Sequence, residues 1–384
     1  MNYILHIIKS ILNNAEFEER VEADDRSIYQ FTKAHHIAGL IAFCQQAMEG
    51  FPEDIKKLFT YEKNRSIARE ATQQIVITAL LDKMEEKRLF CMPLKGYQTK
   101  NMYPHPAMRY MTDTDILIDS ENIEKITEIM TELGFAYDHD TLHEVIFSNN
   151  QMVIEFHKTL VPSKLGKSYE YYKDYSKFVR NIEGKQFVKE MSTEDIYIYS
   201  VDHIARHYIE GGIGIKHIVD IYVLLKQTLN IAYIEEELSK LELNEFEKNL
   251  KTLAYMWFSD KKIDVSVSVL EMADFVLKSG AYGNDTNRTV AGAFLQDERL
   301  GKKQSNLVRI IKRTFVSPTH IKMLYPVVKK HRYLYPVFIL VRIWDVLFRR
   351  KDTKQKLINM AKISDFEKEV LKKHFEKIGL PKEL

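Results

Sequence analysis

The sequence predicts an α+β chain, with a small strand-bearing domain set between helical segments. Three observations predict it. Residues 1 to about 88 carry apolar side chains at helical spacing. The stretches 113–118 and 135–160 change to short runs rich in β-branched and aromatic residues, with polar turns between them. After residue 190 the pattern is helical again to about residue 310. With 384 residues, 45% hydrophobic and 29% charged, the chain is long enough for two or three cores.

The elements follow in order. Ile4, Leu5, Ile7, Ile8, Ile11 and Leu12 give Met1–Asn13 an amphipathic helical face. A lysine interrupts it and no small-residue cleavage site follows, so it reads as a first helix rather than a signal peptide. Ile75, Ile77, Ala79, Leu80, Leu81 and Met84 continue a long helix that ends in the charged run 83–88. Leu89 to Leu94 reads as a short strand ending at Lys95-Gly96, where a turn is expected. A second strand runs from Asp113 to Asp119-Ser120, which look like helix-capping residues. The next helix places Ile123, Ile126, Ile129, Met130 and Leu133 on one face and stops at Gly134. Glu144–Ser148 and Met152–His157 flank Asn149-Asn150-Gln151, which predicts a hairpin. In its second strand Val153, Glu155 and His157 share one face, and Met152, Ile154 and Phe156 the other. No internal repeat is visible.

Composition sets further limits. The net charge of +2 hides an asymmetry: residues 301–360 hold 15 Lys/Arg and two acidic residues, and the remainder carries a net of −11. Cys44 and Cys91 are too widely spaced for a metal motif and suit a reducing compartment, so a cytoplasmic location is expected.

The chemistry is concentrated at Arg109-Tyr110-Met111-Thr112-Asp113-Thr114-Asp115-Ile116-Leu117-Ile118. On a strand Asp113 and Asp115 project from one face, about 7 Å apart along the chain. Two like charges heading an apolar strand suit a cation between them. Hard divalent ions, magnesium or manganese, take carboxylate oxygens and also hold substrate phosphates. Glu155 supplies a third carboxylate from a strand whose other face is apolar. Such a set can hold two ions, which activate an attacking hydroxyl and stabilise a leaving pyrophosphate. Gly96 would let the backbone approach a triphosphate, and Lys95 or Arg109 would neutralise its charge.

In this order, Leu94-Lys95-Gly96, Arg109, Asp113-x-Asp115, a helix ending Leu133-Gly134-Phe135, and Ile154-Glu155-Phe156-His157 resemble the uncharacterised bacterial nucleotidyltransferases of the polymerase-β-like superfamily. The resemblance covers roughly residues 75–225 and is weaker around Met323 to Arg350. It implies a small mixed-sheet nucleotidyltransferase (polymerase-β-like) core at 75–190. An N-terminal helical region (1–74), a helical domain (191–310) and a basic C-terminal helical tail (311–384) would surround that core. It further implies that Asp113, Asp115 and Glu155 are catalytic metal ligands and that Gly96 lies in the phosphate-binding turn. The wider superfamily has Gly-Ser in that turn. Here it reads Lys95-Gly96-Tyr97, with Lys95 in place of the missing hydroxyl. The family's histidine-bearing helix, followed by a basic residue and Asp, implies that Lys216 and Asp220 line the nucleotide cleft or pair with each other.

His203 and His207 stand one helical turn apart, with Asp220 thirteen residues later. They read either as a transition-metal site or, preferably, as packed histidines that orient a carboxylate from behind; His157 is assigned the same supporting role. There is no His-Glu-x-x-His, which excludes the zinc-protease motif, and the glycines at 211, 212 and 214 lack the strand that a dinucleotide fingerprint needs.

The basic segment holds an apolar stretch at 333–348 that is too short and interrupted to span a bilayer. It reads as a buried helix closing the helical domain. Alternatively, its basic flanks meet an anionic surface, a membrane or nucleic acid. The expected activity is transfer of a nucleoside monophosphate from an NTP to an acceptor hydroxyl or phosphate, with magnesium or manganese as cofactor. Two alternatives stand beside it: an antitoxin-like binding protein on a degenerate scaffold, and a hydrolase centred on His203, His207 and Asp220.

Overall fold

A computed structural model describes residues 2–17, 24–163, 165–281, 283–301, 303–314, 318, 321, 325, 327–345 and 351–381. It is an α+β structure of two compact units. One comprises Met1–His207, Ile213–Tyr282 and Glu376–Leu384; the other comprises Tyr208–Gly212 and Gly283–Phe375.

The first unit contains the sheet. Strands β1 (Cys91–Pro93), β2 (Asp113–Ile118), β3 (Ala136–Asp140), β4 (Glu144–Ser148) and β5 (Val153–His157) lie in the order β1-β2-β5-β4-β3. Only the central β2–β5 pair is parallel; β1–β2, β5–β4 and β4–β3 are antiparallel. The hairpin read from Asn149-Asn150-Gln151 is present as β4–β5. A separate two-stranded ribbon joins β6 (Arg180–Asn181) to β7 (Lys189–Glu190).

Period-2 alternation gives the sheet one apolar and one polar face. Ile116 and Ile118 of β2, Val145 and Phe147 of β4, and Ile154 and Phe156 of β5 point to one side. There they meet Ile77, Leu80 and Met84 of a long helix (Glu53–Glu86) and Ile126, Ile129 and Met130 of another (Ile123–Glu132). Each fully buried aliphatic or aromatic side chain there contributes roughly 1.5–3 kcal/mol. The Ile123–Glu132 helix stops where Gly134 takes a φ of +79°, a conformation that costs a residue with Cβ. The opposite face of β2 and β5 carries Asp113, Asp115, Glu155 and His157, so packing of the first face fixes where the charges point.

Two local expectations change. Lys95-Gly96-Tyr97 is not a loop but the start of a short helix, Lys95–Thr99, because Leu94 is extended and its carbonyl accepts the Tyr97 N–H at 3.1 Å. Asp119 makes no capping bond; its carboxylate accepts the Tyr175 hydroxyl at 2.6 Å, and the following helix is preceded by Asn122.

The rest of the first unit is helical. The helix Ile215–Leu225 is apolar on nearly every side, with Ile215, Ile218, Val219, Ile221, Val223 and Leu224 buried, so it is a core helix rather than a surface one. The helix Asn244–Phe258 is less apolar and buries Phe246, Leu250, Leu253 and Trp257 along one stripe.

In the second unit, the buried Arg309 guanidinium pairs with Asp297, which also takes Lys368 at 3.1 Å. The helix Tyr335–Trp344 exposes Val337, Leu340, Val341 and Trp344 rather than burying an apolar face, which corrects the expectation of a buried closing helix. The weaker family similarity at Met323, and Arg349-Arg350 of the basic flank, lie outside the described residues. Among the described residues no helix is long and apolar enough to cross a membrane.

Candidate active site

Register builds the site. Asp115 lies directly beside Glu155 and Leu117 beside His157 across the parallel pair, while Asp113 lies beside Val153. Neighbouring strands are about 4.8 Å apart, so Asp115 and Glu155 are forced together by the same alternation that buries Ile116 and Ile154. Asp115, Glu155 and His157 bring ligand atoms within 4.8 Å of one another, and so do His143, Glu144 and His157. Among the described residues Asp113 joins neither group. It heads β2 half-buried, and its charge is felt at Glu155, Arg109 and Lys216.

The two central carboxylates are driven apart. Burial works to raise the Asp115 pKa, but the charge of Lys95 and the His157 ring more than offset it and hold Asp115 well below the usual carboxylate range. Lys95 Nζ is 3.1 Å from Asp115 Oδ2, and His157 Nε2 is 3.5 Å from Oδ1. Glu155 receives no comparable compensation. Burial, reinforced by the charges of Asp115, Asp113 and Glu144, pushes it up to about 7. A site with three negative groups and one strained carboxylate is short of positive charge.

Lys95 is placed by the first turn of its helix, with Nζ 5.6 Å from the Tyr199 ring centre. Burial alone would lower its pKa, yet the Asp115 carboxylate keeps it raised and cationic. Tyr199 sits on the helix Thr193–Ile209 and ties that helix to the segment after β5 by donating to the Leu160 carbonyl at 2.9 Å. Gly96 has a structural reason to be glycine: a Cβ there would lie 2.9 Å from Arg109 Nη1.

Arg109 is turned toward Asp220 rather than into the acidic cluster. Its Nε and Nη2 donate to the two Asp220 oxygens at 2.8 and 2.9 Å, and Tyr103 donates to Asp220 Oδ1 at 2.6 Å. Asp220 therefore pairs with Arg109, not with Lys216 or the histidines. Lys216, on the next turn back, is pushed down to about 8 by burial and by the Arg109 charge. His203 Nε2 and His207 Nε2 are 3.0 Å apart, and burial together with the Lys95 charge holds His203 well below its ordinary pKa. These two rings are a packed pair near the cationic side of the site.

Sequence reading missed several contributors. Arg69 of the Glu53–Glu86 helix donates to the Met111 and Thr112 carbonyls, each at 2.6 Å, and so fixes the approach to β2. His143 bonds His157 across the hairpin, Nε2 to Nδ1, at 3.1 Å. The hairpin register could have found it, since Glu144 faces His157 and places His143 one residue away.

A sequence model of the family described as uncharacterised nucleotidyltransferase matches residues 22–259, more than half of the chain. Among solved structures, the solution structure of the antibiotic-resistance factor ANT(2″)-Ia matches 45% of this chain and 92% of its own, at 14% identity and a TM-score of 0.34. The crystal structure of ANT(2″)-Ia in complex with adenylyl-2″-tobramycin matches 44% of this chain and 97% of its own, at 16% identity and a TM-score of 0.33. No curated protein matches. By its sequence over residues 22–259 the chain belongs to the family of uncharacterised nucleotidyltransferases and is an enzyme of that class.

Proposed function

We propose that the protein moves a nucleoside monophosphate from an NTP to an acceptor hydroxyl or phosphate, with Mg²⁺ or Mn²⁺ bound at Asp113, Asp115 and Glu155. The observation that carries this reading is the pairing of Asp115 with Glu155 across the central parallel strands, on the face opposite the apolar core. The donor set suits the ion: carboxylate oxygens are the ligands that magnesium and manganese take, and Glu155 is a half-buried carboxylate pushed up to about 7 by burial and by the charges of Asp115, Asp113 and Glu144. A bound divalent cation would polarise the phosphoryl group and help ionise the attacking hydroxyl.

The chain's own groups do the positioning. Lys95, held cationic beside Asp115, is the residue to meet triphosphate oxygens. Arg109 sets the wall beside Gly96 while locked to Asp220, and the nearby charge of Lys216 makes that flank attractive to phosphate. The buried, unpaired thiols Cys44 and Cys91 support a cytoplasmic site of action. The proposed organisation keeps the catalytic core at 75–190, between the helical regions 1–74 and 191–310, with the basic tail at 311–384. The tail's excess of Lys/Arg would be the part that meets an anionic surface.

The test is incubation with each α-labelled NTP, Mg²⁺ or Mn²⁺, and fractionated lysate as acceptor source. Label should be transferred by the native protein and lost in Asp115→Asn. No transfer from any NTP with either ion, or equal transfer by Asp115→Asn, would overturn the proposal.

A further inference from the structure

His157 carries more information than its neighbours because one of its ring nitrogens is engaged within the hairpin and the other is not. Nδ1 lies 3.1 Å from His143 Nε2, and His143 Nδ1 in turn lies 2.8 Å from the Thr159 hydroxyl, which is itself 3.1 Å from the Val161 carbonyl. This chain of contacts fixes the orientation of the ring and leaves Nε2 as its second nitrogen.

That nitrogen points at the carboxylates. It is buried, with no hydrogen-bond partner among the described residues, and stands 3.5 Å from Asp115 Oδ1 and 3.8 Å from Glu155 Oε2. An imidazole nitrogen so placed can bind a cation through its lone pair, beside the two carboxylates. The ligand atoms of Asp115, Glu155 and His157 all lie within 4.8 Å of one another, close enough to share one ion.

We infer that His157 Nε2 is a direct ligand of the divalent cation, beside Asp115 and Glu155, and that the contacts through His143 to Thr159 hold the ring in place for it. The inference rests on the proposal that this face binds a cation, and it adds the ion's identity. A site with one imidazole nitrogen takes Mn²⁺ in preference to Mg²⁺, since imidazole suits transition metals and magnesium keeps to oxygen. A ligating histidine whose second nitrogen donates to a fixed acceptor is the usual arrangement at metal centres.

The experiment is pulsed electron paramagnetic resonance of Mn²⁺ added to the full-length protein. The native protein should show nitrogen coupling from a coordinated imidazole. His157→Gln should lose that coupling and bind Mn²⁺ on the order of tenfold or more weaker, with a smaller change in Mg²⁺ affinity. Thr159→Val, which leaves all three ligands in place, should weaken Mn²⁺ binding on the order of tenfold by loosening His143 and with it the His157 ring. Mn²⁺ bound in an Asp115-dependent way with no nitrogen coupling would overturn the histidine assignment and leave the carboxylate site standing. No Mn²⁺ binding, or binding untouched by Asp115→Asn, would overturn both.

Discussion

Two charged clusters in the first unit are built from similar residues and behave oppositely. Around Asp220, both carboxylate oxygens are met by Arg109 and one also by Tyr103, so the charge is closed within the protein. Around Asp115 and Glu155, one lysine faces two carboxylates, the histidine nitrogen lacks a donor's partner, and Glu155 is pushed up to about 7 by burial and neighbouring negative charge. A closed cluster holds structure together. An open one, stabilised only when something cationic arrives, is where a protein keeps its chemistry.

The comparison can be broken in several ways, and the largest effect is on rate. Asp115→Asn should lower nucleotidyl transfer by at least about 1,000-fold, the scale of a lost metal-held transition-state contact, with a smaller fall in the unfolding midpoint as Lys95 loses its charged partner but keeps the amide oxygen as acceptor. Transfer kinetics beside a thermal melt read both.

Asp220→Ala should do the reverse and cost stability. It strands the buried Arg109 guanidinium, and removing one partner of a buried pair costs roughly 3–5 kcal/mol, measurable by urea denaturation. A loss near zero would place Asp220 with the open cluster instead.

Gly96→Ala is expected to cost about 1–3 kcal/mol. The new Cβ meets Arg109 Nη1 at 2.9 Å, and that side chain cannot swing away without breaking its bonds to Asp220. The double variant Gly96→Ala/Asp220→Ala should therefore be less destabilised than the sum of the two singles.

The smallest effect is a slope. Because Glu155 is raised from 4.5 to about 7 in the folded state, metal-free protein loses stability as pH rises between those values and then levels off. Glu155→Gln should flatten this part of the melting-temperature profile, and added Mn²⁺ should lift the native protein's upper limb.

Legibility from sequence follows range of interaction. Strand and hairpin positions at 113–118 and 144–157, and the shared face of Glu155 and His157, were readable because alternation is local. The short helix at Lys95–Thr99 is not distinguishable from a turn in the sequence, since one glycine beside a strand end signals either. The exposure of the apolar side chains of Tyr335–Trp344 is not legible either, because an apolar run says nothing of what covers it. His143 stands out only through the hairpin register, since a lone histidine in a polar turn has no periodic signature.

By itself the sequence determined which residues face together: the period of two on β2 and β5 puts the apolar set on one side and the carboxylates on the other, whatever the rest of the chain does. Only the tertiary structure decided which charges are spent. Arg109 finds Asp220 across 111 residues, Lys95 finds Asp115 across 20, and His143 meets the His157 ring across the hairpin. Those choices depend on how helices and strands pack in three dimensions. Charge pairing falls off with distance and burial, and neither is written in the spacing along the chain.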